Sequence, residues 1–216
     1  MSIGLFQLIR DKSFERIRAM LAADPSLANT GVPCGDNPNS KKGHPLHRIC
    51  DLVFEKKITD DQAIEVAMIL LEFGANIEGF KSLGDNNTPI LAAASLHAEN
   101  LGIFYIERGA DIFYSHKSDG ATPLHWAAFC GRDKLVQRLI EAGADINQLD
   151  NSYNSTPLGW AIHSLDSKDN NNTFHQLDCI KILLKAGSNK TLLTSNSIQF
   201  LQTIGKDDQE LSAALA

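Results

Sequence analysis

The clearest alternation of apolar and polar positions lies at 119–147. Leu124, Ala127 and Ala128 fall on one face of a short segment, and after Gly131 the residues Leu135, Val136, Leu139 and Ile140 recur at helical spacing. This pattern predicts two short helices joined by a tight turn. Thr122 can cap the first helix with its hydroxyl, and Pro123 suits the first turn, where its missing N–H is harmless. Gly143 suits the left-handed stop of the second, and Asp145, Ile146 and Asn147 lead into an extended turn. The alanines allow a neighbouring layer to approach closely. Each helix pair has two apolar faces that it cannot bury alone, so neighbouring pairs must stack.

The same pattern returns along the chain. Thr-Pro pairs stand at Thr88-Pro89, Thr122-Pro123 and Thr156-Pro157, 34 residues apart, and a second mark falls at Gly74-Ala75, Gly109-Ala110, Gly143-Ala144 and Gly187-Ser188. Around Pro45 the motif reads His44-Pro45-Leu46-His47, with His44 in the place of Thr, and its second helix carries Val66, Ile69, Leu70 and Leu71. The next unit pairs Ala92-Ala93-Ala94 with Leu101, Phe104, Tyr105 and Ile106, and the last pairs Leu158 with Cys179, Ile180, Ile182, Leu183 and Leu184. The proline-to-glycine distance is 20 in the two central units but 29 from Pro45 to Gly74 and 30 from Pro157 to Gly187. The extra residues predict insertions between the paired helices, near 54–61 and 166–175; the second is polar and reads as a loop. Leu5, Phe6, Leu8, Ile9, Phe14, Ile17, Met20 and Leu21 predict an N-terminal helix pair, and Ile198, Phe200, Leu201, Ile204 and Leu211 a C-terminal cap.

The segment 119–150, DGATPLHWAAFCGRDKLVQRLIEAGADINQLD, resembles the ankyrin repeat almost position by position, and that family's period is about 33 residues. The ending Ala-Asp-Pro-Ser-Leu-Ala-Asn at 23–29 is similar to first repeats of bacterial members. The resemblance implies an all-α solenoid of stacked antiparallel helix pairs with projecting hairpin fingers. It implies one domain over 1–216: an N-cap at 1–29, repeats near 43–80, 85–118, 119–151 and 154–190, and a C-cap at 191–216. It implies a non-catalytic module that binds a partner protein through finger tips and the exposed side of each first helix. Mapped onto this chain, the variable helix positions include Asp51 and Leu52, Ser95 and Leu96, Phe129 and Cys130, and His163 and Ser164; the finger positions include Phe80, Phe113, Tyr114, His116, Asp119 and Tyr153. Aromatic anchors dominate interfaces, which singles out Phe113, Tyr114, Phe129 and Tyr153. In the family the histidine of Pro-Leu-His, here His47 and His125, bonds locally and helps hold adjacent fingers; Leu91 and Gly159 depart from it. Trp126 and Trp160 share one repeat position and read as packing in preference to a ligand cage. The alternative function is a regulatory subunit, or an effector directed into a host cell, that also binds a small ligand or a metal.

Composition narrows this further. The formal charge is −6 and no run of Lys or Arg exceeds two, so the clustered cations that a nucleic-acid backbone requires are missing. No apolar stretch approaches the about 18 residues of a membrane span, and Met1 to Arg10 do not read as a signal peptide. Cys34, Cys50, Cys130 and Cys179 are widely spaced, which points to reduced thiols and a cytoplasmic setting. A zinc site wants about four converging ligands, typically in close pairs, and the cysteines form no CxxC pair; no GxSxG elbow, Walker loop or HExxH occurs. The expectation is a cytoplasmic monomer with no catalytic residues, no metal and no cofactor, binding neither nucleic acid nor membrane.

Overall fold

The computed structural model describes residues 4–33, 42–80, 87–167 and 175–215. The backbone packs as two compact units, 1–111 and 112–216. In the first, α1 (Leu5–Arg10) and α2 (Phe14–Ala23) lead through a 3-10 turn to β1 (Val32–Pro33), which pairs antiparallel with β2 (Lys42–Gly43). There follow α3 (Pro45–Phe54), α4 (Asp60–Glu72), α5 (Pro89–Ser95) and α6 (Glu99–Glu107). The second unit holds α7 (Pro123–Phe129), α8 (Asp133–Glu141), α9 (Pro157–Asp166), α10 (Gln176–Lys185), α11 (Ser195–Ile204) and α12 (Gln209–Leu215). Among the described residues β1 and β2 are the only strands, so the all-α expectation holds.

The helices pair as the apolar pattern requires. Within the first unit α3 packs on α4 and α5 on α6, while α3 lies beside α5 and α4 beside α6. The second unit repeats this with α7 on α8, α9 on α10, α7 beside α9 and α8 beside α10. The interior is built from the residues that carry the periodicity: Leu101 and Tyr105 in one unit, and Leu124, Leu135, Val136, Leu139, Ile180 and Leu183 in the other, are fully or almost fully buried.

The Thr-Pro marks work as helix starts. Thr88, Thr122 and Thr156 are extended, and their hydroxyls accept from the backbone N–H of Leu91 (3.4 Å), His125 (3.4 Å) and Gly159 (3.2 Å). The glycine marks are stops. Gly143 sits at φ +95°, its N–H bonds Ile140 O and the N–H of Ala144 returns to Leu139 O at 3.0 Å, the two bonds of a Schellman motif.

Two expectations are corrected. The extra residues near 54–61 do not form a separate loop: α3 has 10 residues against 7 in α7, α4 has 13 against 9 in α8, and the connection is only slightly longer. A Thr59–Gln62 capping box restarts the chain as α4. Most of the other insertion, 168–174, lies outside the described residues, as does Cys34. At the C-terminal cap Leu201 and Leu211 are buried, but Ile198 is 37% exposed, so the cap's apolar set is smaller than its sequence suggested. Its attachment is partly ionic, Lys181 pairing with Asp208 at 2.6 Å and with Glu210 at 3.4 Å.

Candidate functional site

The site grows out of α7, α9 and the finger that precedes α9. Trp126 and Trp160 stand at the same position of consecutive first helices, three residues after the opening proline, and meet at 5.2 Å between ring centroids, nearly perpendicular. Phe129 lies one helical turn beyond Trp126 and edges both indoles, at 6.0 and 5.8 Å. Tyr153 comes from the finger and touches Trp160 at 6.1 Å; His125 closes the far side at 5.4 Å. Every one of these pairs is edge-to-face, the arrangement that brings a ring's positive edge to a neighbour's negative face. Trp160 is the centre of the cluster and is buried, whereas Tyr153 is 77% exposed.

Asp150 holds the finger under this cluster. Its carboxylate accepts from the backbone N–H of Ser152 (2.8 Å), Tyr153 (2.7 Å) and Ser155 (3.0 Å), and from the indole Nε1–H of Trp160 (3.0 Å). Burial by itself would raise its pKa; the hydrogen bonds, led by that of Trp160, outweigh burial and hold it below the usual carboxylate range. His125 ties the same finger to α7: its Nδ1 accepts from Thr122 N–H at 3.1 Å and its Nε2–H reaches Ser155 O at 3.2 Å. An Nδ1 that accepts leaves the ring's proton on Nε2, facing Ser155 O, and burial pushes the His125 pKa down. The expected role of this histidine in holding fingers is therefore visible at His125. His47 behaves differently, facing Asp51 at 3.8 Å, because His44 has taken over the capping: its Nδ1 accepts from Leu46 N–H at 3.2 Å and its Nε2 pairs with Asn29 Oδ1 at 3.1 Å.

Between the aromatic cluster and the C-terminal cap lies a cavity of about 450 Å³. Trp126, Phe129, Tyr153, Trp160 and His163 form one side; Leu192, Leu193, Thr194 and Ser197 form the other; Asn154 and Ser155 lie at the finger. Three residues anticipated from sequence, Phe129, Tyr153 and His163, are thus brought together. The cap residues were not anticipated, and the signal was available in the apolar pair Leu192-Leu193 directly after the last repeat. In the first unit a cavity of about 350 Å³ is lined instead by Lys12, Lys56, Lys57 and Asp60 with Val53, Ile58, Thr59 and Gln62.

The remaining expected positions separate. Leu52 is a correction: it is 1% exposed, because α3 turns that face inward, and it offers no surface. Ser164, at that place in α9, and Cys130, at that place just past the end of α7, are buried too. Phe80 is half-buried and meets His44, the cap of α3 at the end of the preceding finger, edge-on at 5.1 Å, and Leu96 is half-buried. His116 and Asp119 face each other at 3.1 Å within one finger turn, where Asp119 also accepts from Ala121 N–H at 2.9 Å. Tyr114 is half-buried and Phe113 is 63% exposed, but neither lines the cavity.

Cys50, Cys130 and Cys179 are buried and in no disulfide, and burial raises the Cys130 thiol to about 11, far from a reactive thiolate. Asp133, His175 and Asp178 converge within 4.8 Å, the one group among the described residues with ligand atoms close enough to share an ion; His175 and Asp178 are exposed and already pair at 2.8 Å. Among the described residues no helix is long and apolar enough to cross a membrane.

No curated protein matches the sequence significantly. A family profile described as Ankyrin repeats (3 copies) matches residues 57–150 and 91–194, well over half of the chain. The Thr-Pro caps at 88, 122 and 156 and the glycine stops at 74, 109, 143 and 187 lie within the matched residues, and the chain belongs to the ankyrin-repeat family.

Proposed function

We propose that this protein is a non-catalytic interaction module whose second unit anchors a partner protein at the cavity beside Trp126, Phe129, Tyr153, Trp160 and His163. Ankyrin repeats are in general protein–protein interaction modules, which supports the class of function. The observation that carries the location is the aromatic cluster opening onto a cavity of about 450 Å³. Interface energy concentrates in a few aromatic anchors seated in pockets, and this is the place where such rings and a pocket coincide. A monomer in the cytoplasm acting without a cofactor is the accompanying reading, its cytoplasmic part in keeping with three buried cysteines that form no disulfide. Binding of a small regulatory ligand is the second reading, favoured by a cavity volume within the about 300–1,000 Å³ range of small-molecule sites.

The test is affinity capture with the tagged protein beside its Phe129→Ala/Tyr153→Ala variant, followed by titration of the captured partner. The variant should melt almost as the parent does, since both rings are incompletely buried, and should bind at least about thirtyfold more weakly. A partner that binds the folded double variant as tightly as the parent would place the interface elsewhere.

A further inference from the structure

We propose that this cavity is an arginine pocket: it receives a guanidinium group from an exposed segment of the partner protein, against the aromatic cluster of Trp126, Phe129, Tyr153 and Trp160. The inference rests on the protein-binding reading above and names the chemistry of the anchor.

Charge is the first argument. Among the described residues no Lys or Arg lines the cavity. Behind its floor sits the Asp150 carboxylate, only 2% exposed, whose hydrogen-bond donors are all neutral: three backbone N–H groups and the Trp160 indole. Among the described residues no Lys or Arg pairs with it. A negative charge left without a counter-ion under an aromatic floor attracts a cation placed above that floor. The indole N–H donates to this carboxylate, which pushes electron density into the ring and strengthens its attraction for a cation.

The polar rim is the second argument, and it separates guanidinium from other occupants. Asn154 and Ser155 from the finger and Thr194 and Ser197 from the C-terminal cap line the cavity beside the rings. The two hydroxyls share a hydrogen bond at 2.9 Å, and Thr194 Oγ1 also accepts from Ser197 N–H at 3.1 Å, which leaves Ser197 Oγ with acceptor capacity. A guanidinium carries five N–H donors in a plane, stacks on aromatic faces and is weakly hydrated, so it can use both the rings and the rim oxygens. A lysine ammonium is compact and strongly hydrated, and would lose more on entering an aromatic cavity. A leucine side chain would use the rings and Leu193 but would leave the rim oxygens and the charge beneath unmatched.

The experiment uses the full chain and three small probes, N-acetyl-arginine amide, N-acetyl-citrulline amide and N-acetyl-leucine amide, titrated while the indole N–H resonances of Trp126 and Trp160 are followed by NMR. Citrulline keeps the shape of arginine and removes its charge. The arginine probe should shift the indole signals saturably, with the citrulline and leucine probes at least tenfold weaker. Tyr153→Leu and Phe129→Leu, which keep apolar bulk and remove the π face, should each weaken the arginine probe several-fold while leaving the melting temperature near that of the parent. Citrulline or leucine binding as tightly as arginine, or no saturable shift with arginine, overturns the inference. A partner that loses affinity for the alanine double variant in the capture experiment would still stand in either case, so failure of the anchor chemistry is distinguishable from failure of the docking site.

Discussion

Two stretches of the same scaffold, the first helices of the two units, have been given opposite surfaces. Three residues after the helix-opening proline the first unit carries Arg48 and Ala92, and the second carries Trp126 and Trp160. One turn further on stand Asp51 and Ser95 in the first unit, Phe129 and His163 in the second. Arg48 and Asp51 form an ion pair along α3, with Arg48 buried; Ala92 is fully buried and presents nothing. The helices that bear these residues start in the same way and stack in the same way. The difference teaches that the buried periodicity specifies the repeat, while the positions it leaves free can become a charge pair in one place and an aromatic cavity in another.

The sharpest way to break this comparison is to give the second unit the residue of the first. Trp160→Ala places at α9 what Ala92 already is in α5. It removes the hub of the ring cluster and leaves Asp150 without its indole donor, and deleting a buried Trp costs about 3–5 kcal/mol. Denaturant unfolding should show that loss. A loss below about 1 kcal/mol would mean that the cluster is a surface ornament and that the stacking helices alone carry the second unit.

The scaffold was legible in the sequence because it is periodic. Thr122, Gly143 and Leu139 were placed from spacing alone, and the structure finds the first capping α7, the second at the left-handed stop and the third fully buried. The site was only partly legible, because its position depends on small angular differences within a helix. Leu52, Cys130 and Ser164 follow the exposed positions by one residue, a rotation of about 100° that carries them into the core. Gly159 departs from the histidine motif, and a Cβ there would lie 2.2 Å from Ser155 Oγ, a hydroxyl that side-chain rotation can move aside, so the local contacts do not demand a glycine. The 54–61 insertion could not be told from helix extension by length, because an added helical turn and an added loop lengthen the interval alike.

Acid sharpens the comparison next. The cap of α3 is an imidazole, whereas α5, α7 and α9 begin with threonine hydroxyls that do not titrate. Burial, with a smaller contribution from His47, lowers the His44 pKa from 6.5 to about 4, so the fold keeps the ring neutral while the unfolded chain protonates near 6.5. Between these values the unfolded state binds the extra proton, so stability falls as pH drops from about 7 towards 4 and is level above. At pH 5 the loss from this group is about 2 kcal/mol. His44→Thr restores the motif of the other helices, and the difference in denaturation free energy between pH 7 and pH 5 should shrink by about that amount. An unchanged pH dependence would remove His44 as the acid-sensitive joint of the first unit.

The smallest effect tests what the two units share. Gly109 and Gly143 end α6 and α8 at φ +83° and +95°, and at both a Cβ would meet nothing within 4 Å. Neither glycine is there for room; each is there because an L-residue is strained in that region of backbone space. Alanine at either position should therefore cost about 1–2 kcal/mol through backbone strain alone. The two losses should agree within a few tenths of a kcal/mol, since the hydrogen bonds they support are alike: Ala110 N–H to Tyr105 O and Ala144 N–H to Leu139 O, each 3.0 Å. Paired chemical denaturation of Gly109→Ala and Gly143→Ala measures this. Equal losses would locate the contrast between the units entirely in the residues left free by the repeat. A difference above 1 kcal/mol would mean that the aromatic cluster or the charge pair reaches back into the scaffold, and that surface and repeat are not independent.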